Sequence, residues 1–171
     1  MDLRTHIVDV PDFPRAGILF KDITPLLAHA QAYAAAIEAM ATAVAAESPQ
    51  YVAGIEARGF LFAGAIAHRL GLGCVPLRKP GKLPGEKLGV SYELEYGSDR
   101  IELRAGTLPA GARVAVVDDV LATGGTLAAA LRLIELAQAQ VSGVHVLIEL
   151  EALGGRARLP AALPLRAVMR F

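Results

Sequence analysis

The 171-residue sequence predicts an α/β domain built on a mainly parallel, twisted sheet flanked by helices. Three observations lead there. Short runs at 51–55, 74–77, 114–117 and 144–148 have the unbroken apolar character of strands buried on both faces. Charged or small-residue turns and then helical periodicity follow the first and third of them, which is the strand–turn–helix rhythm of right-handed parallel connections. No repeat, low-complexity tail or linker interrupts the chain, so it reads as a single domain over 1–171.

The elements can be justified in order. Residues 10–25 carry Pro11, Pro14, Gly17 and Pro25 around the apolar trio Ile18, Leu19 and Phe20, which predicts an ordered lead-in more than a regular helix. Thr24 and Pro25 suit a cap and a first helical position. From 31 to 47 the chain is alanine-rich, with Tyr33, Ile37, Met40 and Val44 spaced for one amphipathic helix. The strand at 51–55 ends in Glu56, Ala57, Arg58 and Gly59, and a helix over 60–70 is closed by Gly71. After the strand at 74–77, residues 80–89 hold two prolines and three glycines with few apolar anchors, and are expected to form a mobile loop. Alternation over 92–96 and 100–104 around Gly97, Ser98 and Asp99 predicts a β-hairpin. The strand at 114–117 runs into Asp118 and Asp119, then a helix is expected from 126 to about 140 before the strand at 144–148.

Composition removes several classes of function. Lys plus Arg equals Asp plus Glu at 17 each, so the basic excess of a nucleic-acid or anionic-membrane binder is missing and any anion site must be local. No apolar run approaches the roughly 18 residues of a membrane span. Cys74 is the only cysteine, and the N-terminus has no apolar signal core, which makes the cytoplasm the default location. Cys74, in an apolar strand, is expected in the core. His6, His29, His68 and His145 are scattered, and no His/Cys cluster suggests a protein-only metal cage.

The chemistry concentrates in residues 114–126. An apolar strand delivers two adjacent carboxylates at its C-terminal end, where open α/β sheets bind ligands. A small-residue turn then opens a helix. Gly124 and Gly125 let backbone amides converge, Thr123 and Thr126 add hydroxyls, and the helix dipole contributes roughly half a positive charge. That is a phosphate cradle. It lacks the lysine that follows the second glycine of a P-loop, which disfavours nucleoside triphosphate hydrolysis. Asp118 and Asp119 suit the paired hydroxyls of a ribose, so a ribose 5-phosphate is the implied ligand. A helix cap plus a tight turn would use the same two dipeptides, but the thirteen-residue run as a whole favours the cradle. A second feature is the basic segment 78–87, with Arg78, Lys79, Lys82 and Lys87 against Glu86. Such a run is commonly a solvated face; its prolines and glycines also suit a lid that closes over a polyanion. Arg58 adds a further anion contact.

With these residues in view, the chain resembles the type I phosphoribosyltransferases, and more narrowly their adenine-specific branch. V-V-D-D-V-L-A-T-G-G-T (116–126) matches the phosphoribosyl pyrophosphate motif of the whole family. The narrower resemblance rests on D-F-P-R-A-G-I-L-F-K-D-I-T-P (12–25), I-E-A-R-G-F-L-F (55–62), R-K-P-G-K-L-P-G (78–85) and Y-E-L-E-Y-G (92–97). Together they span nearly the whole chain in the family's order.

The resemblance implies a type I phosphoribosyltransferase fold with a base-binding lead-in (1–30) and a flexible lid loop and hairpin (78–104). It implies that Ala122, Thr123, Gly124, Gly125 and Thr126 hold the 5′-phosphate and that Asp118 and Asp119 bind the ribose. Glu56, Ala57, Arg58 and Gly59 would form the pyrophosphate loop, with a cis peptide between Glu56 and Ala57. Arg78, Lys79 and Lys82 would also bind pyrophosphate, in part from a neighbouring subunit of a homodimer. Phe20 would stack on adenine while the backbones of Leu19 and Lys21 read its edge; Lys21 stands where many relatives carry arginine, but the expected contact is through the main chain. The same apolar trio would also serve as a plain anchor for the N-terminus.

The implied reaction is purine salvage: adenine and phosphoribosyl pyrophosphate give AMP and pyrophosphate, with Mg²⁺ carried by the diphosphate. Water exclusion would fall to the lid, with Tyr96 near its base, and proton movement at the purine to Glu95, which as a hairpin glutamate also fits a solvated face. Transfer to another nucleobase, or a non-catalytic module that senses the ligand, are the rivals. The first should lack the lead-in motif, and the second the basic lid or base pocket.

Overall fold

The computed structural model describes residues 1–93 and 97–171, and the chain divides into two compact units, 1–39 and 40–171. In the first, a 3-10 turn at Leu3–His6 is capped by Asp2, whose Oδ1 accepts from the Arg4 amide at 3.0 Å. Strand β1 (Val8–Pro11) then pairs antiparallel with β2 (Leu19–Asp22). The lead-in thus holds a two-stranded ladder that proline punctuation concealed. The expected cap is displaced by one position: Ile23 stands at the cap with no side-chain hydrogen bond, α1 (Thr24–Ala28) begins at Thr24, and Pro25 lies in its first turn. His29, at ψ 104°, separates α1 from α2 (Ala30–Ala45).

The second unit is a five-stranded sheet in the order β4-β3-β7-β8-β9, with all four pairings parallel. Its strands are β3 (Tyr51–Ile55), β4 (Gly73–Leu77), β7 (Arg113–Leu121), β8 (Gln140–Glu149) and β9 (Leu165–Arg170). Helix α3 (Gly59–Leu70) connects β3 to β4, and α4 (Gly125–Leu136) connects β7 to β8. Central strand β7 is buried along nearly its whole length, as its apolar run requires. A separate antiparallel ribbon joins β5 (Lys87–Glu93) to β6 (Ser98–Arg104), and Ile101 and Leu103 belong to the same buried cluster as the strands of the sheet. Mutual backbone bonds between Arg78 and Glu102, at 2.8 and 2.7 Å, fasten the ribbon to the end of β4.

Several expectations are corrected. The helix expected to reach 140 stops at Leu136: Gln138 takes φ 60° and the Ala139 amide bonds to the Ile134 carbonyl at 3.1 Å, a Schellman closure made without glycine. In the ribbon, Glu93 faces Ser98, so Ser98 and Asp99 are strand residues, not turn, and β5 begins at Lys87 inside the stretch expected to be loop. The C-terminal strand β9 had no counterpart in the sequence reading. Cys74 is exposed, because edge strand β4 buries only Val75 and Leu77. On β8, His145 is buried and its Nε2 lies 2.8 Å from the Glu47 carboxylate.

Candidate active site

Three neighbouring parallel strands, β4, β3 and β7, end side by side, and the segments that leave them carry the charged residues. From β3 the chain passes through a cis peptide between Glu56 and Ala57, where it was expected, to Arg58 and the start of α3. From β4 it passes to Arg78 and Lys79. The Glu56 carboxylate gathers these two turns: its Oε2 accepts from Arg78 Nε at 3.0 Å and from the Lys79 amide at 2.7 Å. The Arg78 hydrogen bond is the main reason its carboxyl lies below the usual carboxylate range, with burial opposing. Lys82 is exposed, and its charge adds to the same lowering.

Asp118 and Asp119 sit within β7, not beyond its end, and both are buried. Asp118 faces Val146 across the ladder, and its Oδ1 accepts from the Asp119 amide at 2.9 Å. Burial and then the charge of Asp119 push its carboxyl well above the ordinary range. Asp119 instead meets a cation, with Arg58 Nε donating to its carboxylate in a short ion pair. After Leu121, Ala122 and Thr123 lead to Gly124, whose φ of +83° favours glycine, and α4 opens at Gly125 with Thr126 in its first turn. The residues expected to hold a ribose phosphate and those expected to hold pyrophosphate therefore lie on adjoining strand ends.

Lys79 has partners that the sequence reading missed. Its Nζ pairs with Asp99 and donates to Tyr92 Oη at 3.1 Å, and the tyrosine hydroxyl lies 3.3 Å from the same carboxylate. From sequence Asp99 reads as a turn residue; the ribbon register places it across the ladder from Tyr92. Burial pushes Lys79 downward, but the bonds to Asp99 and Tyr92 leave its ammonium above its ordinary value. Glu95 and Tyr96 lie outside the described residues. Leu19, Phe20 and Lys21 lie on β2 in the first unit: Leu19 is exposed, Phe20 meets Phe13 edge-on at 5.1 Å, and Lys21 Nζ bonds Asp9 at 2.6 Å.

Among the described residues no group of three or more His, Cys, Asp or Glu is placed to hold a metal ion, and no helix is long and apolar enough to cross a membrane. The parallel sheet, its buried acid pair and the glycine loop after it define the class: the family model of the phosphoribosyl transferase domain matches residues 22–160. An adenine phosphoribosyltransferase of a Synechococcus species is 50% identical over 171 residues, covering 100% of this chain and 99% of that protein. The crystal structure of the adenine phosphoribosyltransferase of Thermoanaerobacter pseudethanolicus superposes with a TM-score of 0.96 at 45% identity, covering 99% and 98% of the two chains. That of Saccharomyces cerevisiae, complexed with an imino-altritol bisphosphate and adenine, gives 0.90 at 39% identity over 98% and 96%. The chain belongs to the adenine phosphoribosyltransferase family.

Proposed function

We propose that this enzyme works in purine salvage, transferring the 5-phosphoribosyl group of phosphoribosyl pyrophosphate to adenine to give AMP and pyrophosphate. The carrying observation is the junction of strand ends where the acid pair of β7, the Glu56–Arg58 turn and the Arg78–Lys79 turn meet. The yeast relative, complexed with an imino-altritol bisphosphate and adenine, supports the choice of base.

In this reading the amides and hydroxyls of residues 122–126 seat the 5′-phosphate, and Asp118 and Asp119 accept from the ribose 2′- and 3′-hydroxyls. Arg58, Arg78, Lys79 and Lys82 receive the diphosphate. Purine N9 supplies the electron pair that forms the new bond to the anomeric carbon, and the pair of the breaking C–O bond leaves with pyrophosphate. Positive charge grows on the sugar as negative charge grows on the leaving group, so cations fixed at the diphosphate stabilise the transition state more than the ground state. Leu19, Phe20 and Lys21 form the base site, Glu95 handles the purine proton, and Tyr96 belongs to the lid. Mg²⁺ arrives on the diphosphate; a hard cation that keeps several waters needs few protein ligands. The enzyme acts as a cytoplasmic homodimer, without nucleic-acid or membrane partners.

The test is product analysis with phosphoribosyl pyrophosphate, Mg²⁺ and, separately, adenine, hypoxanthine, guanine or uracil. AMP and pyrophosphate are expected from adenine alone. Turnover of another base would overturn the base assignment, and tight ligand binding without any product would favour a sensing module.

A further inference from the structure

The 3-10 turn Gly155–Arg158 lies directly on the glycine loop. A Cβ on Gly155 would stand 2.1 Å from the Ala122 carbonyl oxygen and 2.8 Å from the Gly124 nitrogen, and one on Gly124 would stand 2.5 Å from the Gly155 carbonyl oxygen. Two glycines thus permit a backbone contact that any larger residue would open. The next residue clamps the turn: Arg156 donates to both oxygens of the Glu149 carboxylate, Nε to Oε1 at 2.8 Å and Nη2 to Oε2 at 2.6 Å, at the end of β8. Two residues later, Arg158 is exposed and, among the described residues, makes no ion pair. Its Nη1 lies 3.5 Å from the position a Cβ on Gly125 would take, beside the first residue of α4. Arg158 and Gly125 both line a groove of about 440 Å³, so the guanidinium has open space in which to turn.

The glycine loop offers amides and hydroxyls but, without a P-loop lysine, carries no cation of its own. We propose that Arg158 supplies it, as a binding residue for the 5′-phosphate contributed by the segment between β8 and β9. This rests on the reading of residues 122–126 as the 5′-phosphate cradle. A dianion seated on amides at the start of α4 accepts a charge-assisted bond from a guanidinium approaching past Gly125, and both the helix dipole and the arginine act in the same direction. The glycine contact and the Glu149 clamp fix the backbone from which the arginine reaches, so only its side chain is left to order when the ligand arrives.

Calorimetric titration with two separate probes tests this: ribose 5-phosphate, which has the 5′-phosphate alone, and Mg²⁺-pyrophosphate, which lacks it. Arg158→Ala is expected to weaken ribose 5-phosphate roughly tenfold, the scale of one charged hydrogen bond at an exposed site, and to leave pyrophosphate within about twofold. Arg158→Lys should recover most of the loss, and the KM for phosphoribosyl pyrophosphate should rise without that for adenine. Thr126→Ala is the reference for the cradle. If it weakens ribose 5-phosphate while Arg158→Ala does not, the cradle stands and Arg158 has no part in it; if neither variant matters, the cradle reading itself fails. Equal weakening of both probes by Arg158→Ala would also overturn the proposal, since that is a general field effect. Should thermal melting show Arg158→Ala to be misfolded, Arg158→Gln provides the same comparison in a side chain of similar length.

Discussion

His145 offers a stability measurement whose size can be worked from its surroundings. Burial, then the charge of Arg166, pushes the imidazole from 6.5 down to about 4, so it is neutral in the folded chain at pH 7. An unfolded chain takes up a proton at that side chain near pH 6.5, while the folded one resists until about pH 4. The contribution is therefore fully present above pH 6.5 and is lost as the pH falls towards 4. At about 1.4 kcal/mol per pH unit of separation, the loss between pH 7.5 and pH 5 comes to about 2 kcal/mol. Glu47 acts in the opposite sense, because burial raises its carboxyl against Arg166 and Arg113, and the folded chain then binds the extra proton. Replacing the histidine isolates its share. Urea unfolding of the wild type and His145→Gln at matched protein concentration and several pH values from 7.5 to 5 should show the wild type losing about 2 kcal/mol more than the variant. A difference below about 0.5 kcal/mol over that range would refute the assignment of a neutral, buried imidazole.

Other outcomes follow from the site and its supports. Asp118→Asn removes a carboxyl that burial and Asp119 push upward, so the variant should be more stable than the wild type at pH 8, with the gap closing as the pH falls and the wild-type carboxyl takes its proton, while turnover drops about a hundredfold; paired melts and initial rates check both halves. Glu56→Gln loosens the anchor of Arg78 and Lys79, and kcat/KM for phosphoribosyl pyrophosphate should fall roughly tenfold with the KM for adenine unchanged. Gly59→Ala would place a Cβ 2.9 Å from Asp118 Oδ1 and 3.0 Å from the Val117 carbonyl, with a cost of about 1–3 kcal/mol, whereas Gly64→Ala in the same helix meets nothing within 4 Å and should gain about 0.5–1 kcal/mol by denaturant melting.

Helix α3 and helix α4 show why part of the fold was legible in the sequence and part was not. Both end in the same hydrogen-bonded closure, Leu72 to Ala67 in one and Ala139 to Ile134 in the other. The first uses Gly71, which announces itself; the second bends at Gln138, which carries no such signal, so the expected helix ran four residues too far. The acid pair, the glycine loop and the basic turns could be read because each depends on residue types that chemistry restricts. Glu56 as the organiser of Arg78 and Lys79 depends instead on two strands lying side by side, and Asp99 as a partner of Lys79 depends on a ribbon register that alternation alone placed incorrectly. Among the described residues strand β9 pairs only with β8, and its buried and exposed positions alternate weakly, which leaves it without a periodic signature.

Three cations named for the diphosphate stand already neutralised within the chain, Arg58 by Asp119, Arg78 by Glu56 and Lys79 by Asp99. Arrival of a polyanion is therefore an exchange of counter-ions and not a simple addition of charge. The affinity that results is a difference between new pairs and old ones, smaller and less sensitive to ionic strength than three vacant cations would give. On the proposed reading it also favours a whole substrate. A free diphosphate brings nothing to replace Arg58 on Asp119, whereas a ribosyl diphosphate offers hydroxyls to that carboxylate as it draws the arginine away.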